Sequence, residues 1–158
     1  MRILFVCTGN IFRSLTAEYC LKQLLEKNHV RNITVESAGL SAVPQPVQSV
    51  VAKTLHAYGI DFSRHVQRRL NESIINNADV IVAMAKNHQQ FIKTHYHIDA
   101  PLFNELAYGV QASVRDVDEA IPNYLTNAKE ANPFFMMTVK HIHDGIPQLL
   151  KKIQEENP

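Results

Sequence analysis

Cysteine is scarce in this 158-residue sequence, with Cys7 and Cys20 the only two. A disulfide framework in a secreted domain would usually show more, at wider spacing, so a reducing cytoplasm is the expected setting. Long hydrophobic runs are lacking too. The N-terminal apolar stretch, Ile3 to Cys7, is too short for a signal h-region and far too short to span a bilayer, which argues against a membrane role. A surplus of one charge is also missing: 16 Lys plus Arg stand against 15 Asp plus Glu. No global field draws the chain onto nucleic acid or lipid, so any anion must be bound locally. There is no internal repeat, linker or low-complexity tract, and residues 1–158 are expected to form one domain. With 46% hydrophobic and 20% charged residues, the composition is that of a globular protein, long enough to bury roughly 70% of its unfolded surface.

What is present alternates between two periods. Ile3-Leu4-Phe5-Val6 is a continuous apolar run that stops at a Gly/Asn turn, the pattern of a strand buried on both faces. Ala17, Leu21, Leu24 and Leu25 then recur at helical spacing, with Glu18 four residues before Lys22 on another face. Ile33 to Ala38 reads as a second strand, about Pro46 to Tyr58 as a helix closed by Gly59. Ala78 to Met84 reads as a third strand, Lys86 to Thr94 as a helix, and Ala100 to Phe103 as a short fourth strand. Such alternation predicts βαβ units and a mostly parallel sheet with right-handed crossovers. The last segment opens with Asn132-Pro133, an N-cap followed by proline at the first helical position. Phe135, Val139, Ile142, Ile146, Leu149 and Ile153 make its buried stripe, which Pro147 is expected to kink or split.

In such sheets ligands bind beyond the carboxyl ends of the strands, and residues 7 to 13 are the loop after the first one. Gly9 allows positive φ, letting backbone N–H groups turn inward as an anion nest, and a helix N-terminus near Arg13 faces the same point. The loop lacks the second Gly and the Lys-Ser/Thr pair of a nucleotide P-loop, and the glycines of a dinucleotide fingerprint. It has Cys7 instead, where nest, helix dipole and Arg13 all favour the thiolate. Arg13 can hold two phosphate oxygens with its planar fork. Alone, Cys7 reads more readily as an inert buried cysteine than as a nucleophile, and Gly9, Asn10, Arg13 and Ser14 around it reverse that; Cys20, on the apolar side of the first helix, reads as core. His141 and His143 face different ways on a helix, and His95 and His97 share a face only if extended, so neither pair is a metal site.

The run Val6-Cys7-Thr8-Gly9-Asn10-Ile11-Phe12-Arg13-Ser14-Leu15-Thr16-Ala17-Glu18 resembles the low-molecular-weight protein-tyrosine phosphatase signature, V-C-x-G-N-x-C-R-S-P-x-A-E. Similarity extends through Glu36 to Gly39, Tyr58 to Ile60, His65 to Arg68, Ala78 to Met84 and Ser113 to Asp116. The resemblance implies an α/β fold in three layers, with a flavodoxin-like, four-stranded parallel sheet flanked by helices, a cysteinyl-phosphate intermediate, no cofactor and no metal. It implies Cys7 as nucleophile, Arg13 as phosphate clamp, Ser14 as the hydroxyl bonding the leaving thiolate, and Asn10 fixing the loop with Ser37 and His65. Thr8, Gly9, Asn10, Ile11, Phe12 and Ser14 are then the phosphate-binding residues. The implied substrate is a phosphotyrosine-containing protein or a small aryl phosphate, and other phosphate-like anions should occupy the loop.

Phe12 stands where that family commonly has a second cysteine, so a protective disulfide within the loop cannot form and peroxide should inactivate irreversibly. Leu15 replaces a common proline. The family's general acid lies in an Asp-Pro-aromatic segment, whereas this chain has Asp116-Val117-Asp118-Glu119. Register places Asp116 as the acid with Val117 in the proline's place, and Asp118 is its rival. Tyr108 or Tyr124 is left to supply an aromatic edge. Arg64 to Arg69 reads as a basic patch for phosphorylated substrate or as solvated surface. Two other functions fit the same loop: a phosphate- or phosphoprotein-binding module without turnover, and an arsenate reductase, for which Cys20 alone supplies too few thiols.

Overall fold

The first strand explains the layering. In a computed structural model describing residues 1–157, β1 (Arg2–Cys7) is buried along its length after Arg2. Because strand side chains alternate, Ile3, Phe5 and Cys7 join one core cluster, while Leu4 and Val6 join another on the opposite face. Burying each of these apolar side chains contributes roughly 1.5–3 kcal/mol, which fixes the central place and register of β1. It pairs in parallel with β2 (Thr34–Gly39) on one side and β3 (Val80–Ala83) on the other, in the order β2-β1-β3.

Helices α1 (Arg13–Lys27), α2 (Ser49–Ala57) and α7 (Ala128–Glu156) cover the first face. Helices α3 (Glu72–Asn76) and α4 (Lys86–Tyr96) cover the second through Ile75 and Ile92. The remaining short helices are α5 (Phe103–Tyr108) and α6 (Val117–Ala120). The result is an α/β fold with a parallel sheet flanked by helices. No helix among the described residues is long and apolar enough to cross a membrane.

Three expectations are corrected. The fourth strand is not formed: only Leu102 bridges to Ala83, with Ala83 N donating to Pro101 O at 2.9 Å, so the sheet has three strands. Phe103 instead begins α5, whose Phe103, Leu106 and Ala107 are buried at three- and four-residue steps, while the Glu105 carboxylate accepts from Leu102 N at 3.2 Å. The last helix starts earlier than Asn132: Asn127 is its N-cap, accepting from Glu130 N, and Pro133 and Pro147 both lie inside one unbroken helix. Ten buried residues from Ala131 to Ile153 hold it against the sheet layer, which outweighs the roughly 3 kcal/mol that an interior proline costs.

Candidate active site

The loop after β1 is shaped by bonds that pull its carbonyls outward. Thr8 O accepts from Ser41 N at 3.0 Å, Gly9 O from Gln67 Nε2 at 2.6 Å, and Asn10 O is 2.8 Å from His65 Nε2. With those oxygens engaged outside, the amide edges turn the other way. Asn10 N reaches Cys7 Sγ at 3.3 Å, while the N–H groups of Thr8, Gly9, Ile11 and Phe12 meet no acceptor among the described residues. Unsatisfied, convergent N–H groups at a helix N-terminus are the physical definition of an anion site.

The positive φ expected at Gly9 lies one residue on, at Asn10, with φ +57°. Asparagine tolerates that conformation when its side chain is bonded locally. Here Asn10 Nδ2 donates to Ser37 Oγ at 2.7 Å and Ser14 Oγ at 3.1 Å, and Asn10 Oδ1 accepts from Arg68 N at 2.9 Å. A Cβ on Gly9 would meet nothing closer than 3.5 Å. The glycine the loop cannot do without is Gly39 at the end of β2, where a Cβ would stand 2.6 Å from Thr8 O and 2.9 Å from Asn10 N.

Cys7 Sγ lies 3.0 Å from Ser14 Oγ. Because Ser14 Oγ already accepts from Asn10 Nδ2, its own hydrogen is free to donate to sulfur. Arg13 is 1% exposed. Its Nη1 donates to Val114 O at 2.9 Å, its Nη2 donates to Thr8 Oγ1 at 3.3 Å and pairs with Asp116 Oδ2, and its Nε–H has no protein partner. An orphaned guanidinium N–H in a nearly sealed place is what a tetrahedral oxyanion would satisfy.

Asp116 reaches Arg13 because Asp116-Val117-Asp118-Glu119 forms a reciprocal cap. Asp116 Oδ1 accepts from Val117 N at 2.9 Å, and Glu119 Oε2 accepts from Asp116 N at 3.1 Å. These groups bound a cavity of about 250 Å³ that also meets Ile11, Phe12, Asp118, Tyr124 and Phe135. Thr8 and Gly9 line it too, whereas Asn10 and Ser14 are buried behind it. Tyr124, not Tyr108, stands at the mouth, since the Tyr108 hydroxyl donates to His141 O. Phe12 packs edge-on against Phe135 with centroids 4.8 Å apart. In the basic run, Arg64 and Arg69 are exposed, while Arg68 bonds Ser37 O and Glu36. Burial pushes the Cys20 thiol up to about 12, which keeps it inert.

Sequence reasoning missed His88. It sits in α4, fully buried, with Nε2 2.9 Å from Thr8 Oγ1. Burial, and after it the charge of Arg13, pushes the imidazole down to about 3, so the ring is neutral. One signal was available: Thr8 follows β1 and His88 follows β3, and adjacent parallel strands deliver their next residues to the same edge.

Known proteins share this sequence pattern and this fold. A family model described as low molecular weight phosphotyrosine protein phosphatase matches residues 2–158. The low molecular weight protein-tyrosine-phosphatase Ptp of Acinetobacter johnsonii is 37% identical over 92 residues, 58% of this chain and 61% of that one. The protein-arginine-phosphatase of Bacillus subtilis (strain 168) is 36% identical over 101 residues, 61% and 63% respectively. These matches thus span a little over three fifths of each relative's length. Among solved structures, the YwlE arginine phosphatase with a phosphorylated active-site serine superimposes with a TM-score of 0.82 at 26% identity, covering 99% of this chain and 98% of that one. A low molecular weight protein tyrosine phosphatase from T. tengcongensis gives 0.80 at 28% identity, covering 96% and 99%.

Proposed function

The chain belongs to the low molecular weight phosphotyrosine protein phosphatase family, and we propose that it hydrolyses phosphate monoesters, phosphotyrosine in a protein or a small aryl phosphate first among them. The observation that carries this reading is a single cavity lined by Cys7, by Arg13 with its unpartnered Nε–H, and by Thr8, Gly9, Ile11 and Phe12, whose amides meet no acceptor among the described residues.

The non-bridging phosphate oxygens take the loop N–H groups and Arg13, which lets charge spread onto donors already in place. Cys7 Sγ attacks phosphorus, the S–P bond forms, and the P–O bond to the leaving group breaks. Asp116 delivers the proton that the leaving oxygen needs, then accepts one from the water that attacks the cysteinyl-phosphate. The departing thiolate is held by the Ser14 hydroxyl and Asn10 N–H. Asp118, on the same cavity, is the rival acid. Tyr124, Phe135, Val117 and Ile11 give the mouth an apolar wall suited to an aryl ring. A thiolate nucleophile suits a reducing cytoplasm.

A second reading, phosphoarginine, is favoured by Asp116 and Asp118 on one cavity, where two carboxylates could meet a guanidinium, and by the activity named for two similar proteins. Parallel assays on an aryl phosphate and a phosphoarginine peptide, with wild type, Cys7→Ser, Asp116→Asn and Asp118→Asn, decide among these. The proposal predicts aryl phosphate turnover that Cys7→Ser abolishes. Inert wild type that still binds phosphopeptide would leave a binding module instead. Slowing by Asp118→Asn alone would move the acid there.

A further inference from the structure

We propose that His88 is a positioning residue that turns the Thr8 side chain into a phosphate ligand: His88 Nε2–H and Arg13 Nη2–H both donate to Thr8 Oγ1, forcing the Thr8 hydroxyl hydrogen outward onto a bound oxyanion. The inference rests on the phosphate-binding reading above and deepens it, since the family signature leaves the position of Thr8 unspecified.

A threonine hydroxyl has one hydrogen and two lone pairs. Arg13 Nη2 can only donate, and it approaches Thr8 Oγ1 at 3.3 Å. His88 Nε2 approaches the same oxygen at 2.9 Å. The ring is fully buried beside that cation, so it carries a single hydrogen, and which nitrogen holds it decides the direction of the bond. His88 Nδ1 is buried without a partner. A hydrogen there would be an orphaned donor in the core, the rarer and costlier defect, whereas a bare lone pair is tolerated better. The hydrogen therefore sits on Nε2. Both lone pairs of Thr8 Oγ1 are then occupied, and its hydrogen must find an acceptor elsewhere. Thr8 is exposed to the cavity that Cys7 and Arg13 line, where that acceptor is a phosphate oxygen.

Three measurements test this. The first is a long-range 1H–15N correlation of the imidazole, which should show His88 as the Nε2–H tautomer, unchanged from about pH 8 to about pH 5; an Nδ1–H or titrating ring overturns the proposal. The second is the dissociation constant for inorganic phosphate, read by NMR titration. Loss of one hydrogen bond to an anion should raise it roughly tenfold or more in Thr8→Val. His88→Leu should match Thr8→Val, His88→Gln should recover most of the affinity because its Nε2 donates from the same place, and the double variant should be no worse than either single. Wild-type affinity in Thr8→Val, or additive losses, overturns it. Should His88→Leu fail to fold, the tautomer and Thr8→Val still decide. The third is wild-type turnover of an aryl phosphate: its absence with phosphate affinity intact would sink the enzyme reading and leave this inference standing.

Discussion

Two segments meet at the cavity and are held in opposite ways. Residues 7 to 14 are anchored from behind, by Gly39 packed on their backbone, by Asn10 in its four-way network and by His65, Gln67 and His88 on their outer side. The segment around Asp116 runs between exposed Val110 and Leu125, at 52% and 77% exposure, and is tied into the core by the buried Val114 and Val117 and by Val114 N donating to Met84 O. A short cap holds it, and Arg13 draws it inward through Val114 O and Asp116. On the proposed mechanism, grip on phosphate and attack are thus built into the core, while proton delivery hangs on the same arginine that binds the substrate.

Substitutions can break that contrast. Cys7→Ser should cost at least about 10³-fold in aryl phosphate turnover with the urea midpoint nearly unchanged, because it removes the nucleophile and no packing. Arg13→Lys keeps the charge and loses the fork; activity should fall on the order of 10²–10³-fold, and amide exchange around residues 114 to 120 should quicken, linking the two segments in one variant. Unchanged exchange would mean that the cap and the buried Val114 and Val117 order the acid segment without Arg13. Asp116→Asn should slow esters with poor leaving groups by about 10²-fold and good ones little, a difference visible in a leaving-group series.

Gly39→Ala should destabilise by about 2–3 kcal/mol in urea, through a methyl pressed on loop backbone; a neutral result would show that the loop has slack. The smallest effect concerns acid. His88 is held at about 3 in the folded chain against 6.5 ordinarily, so unfolded chains bind the extra proton between those values. Its contribution is complete above pH 6.5 and is lost as pH falls toward 3. His88→Gln should flatten that limb of the stability curve, by roughly 1–2 kcal/mol at pH 5.

The same contrast explains what the sequence disclosed. Cys7, Arg13 and Ser14 lie within eight consecutive residues between a strand and a helix, so local pattern placed them and the three outer elements of the sheet's first face. Leu102 misled because a short apolar run reads alike as a strand or as the lead-in to α5. Positive φ is expected at Gly9 because glycine is the usual bearer; of the three side-chain bonds that let Asn10 take it, only that to Ser14 is local, and the other two come from residues 37 and 68, which only the folded chain brings near. His88 was invisible for the same reason, being 80 residues from Thr8. Asp116 was placed by register, while its pairing with Arg13 depends on a cap whose partners are local but whose aim is tertiary.

That pairing means the resting protein carries its own competitor. The Asp116 carboxylate pairs with Nη2, one arm of the guanidinium fork, so on the proposed reading a phosphate that takes both arms exchanges one anion for another there, and measured affinity is the difference between them. Removing the carboxylate's charge should therefore push two numbers apart: Asp116→Asn would hold inorganic phosphate more tightly than wild type while turning substrate over more slowly. On the proposed mechanism the residue that completes the reaction would also clear the seat, displacing product phosphate as it returns to Arg13.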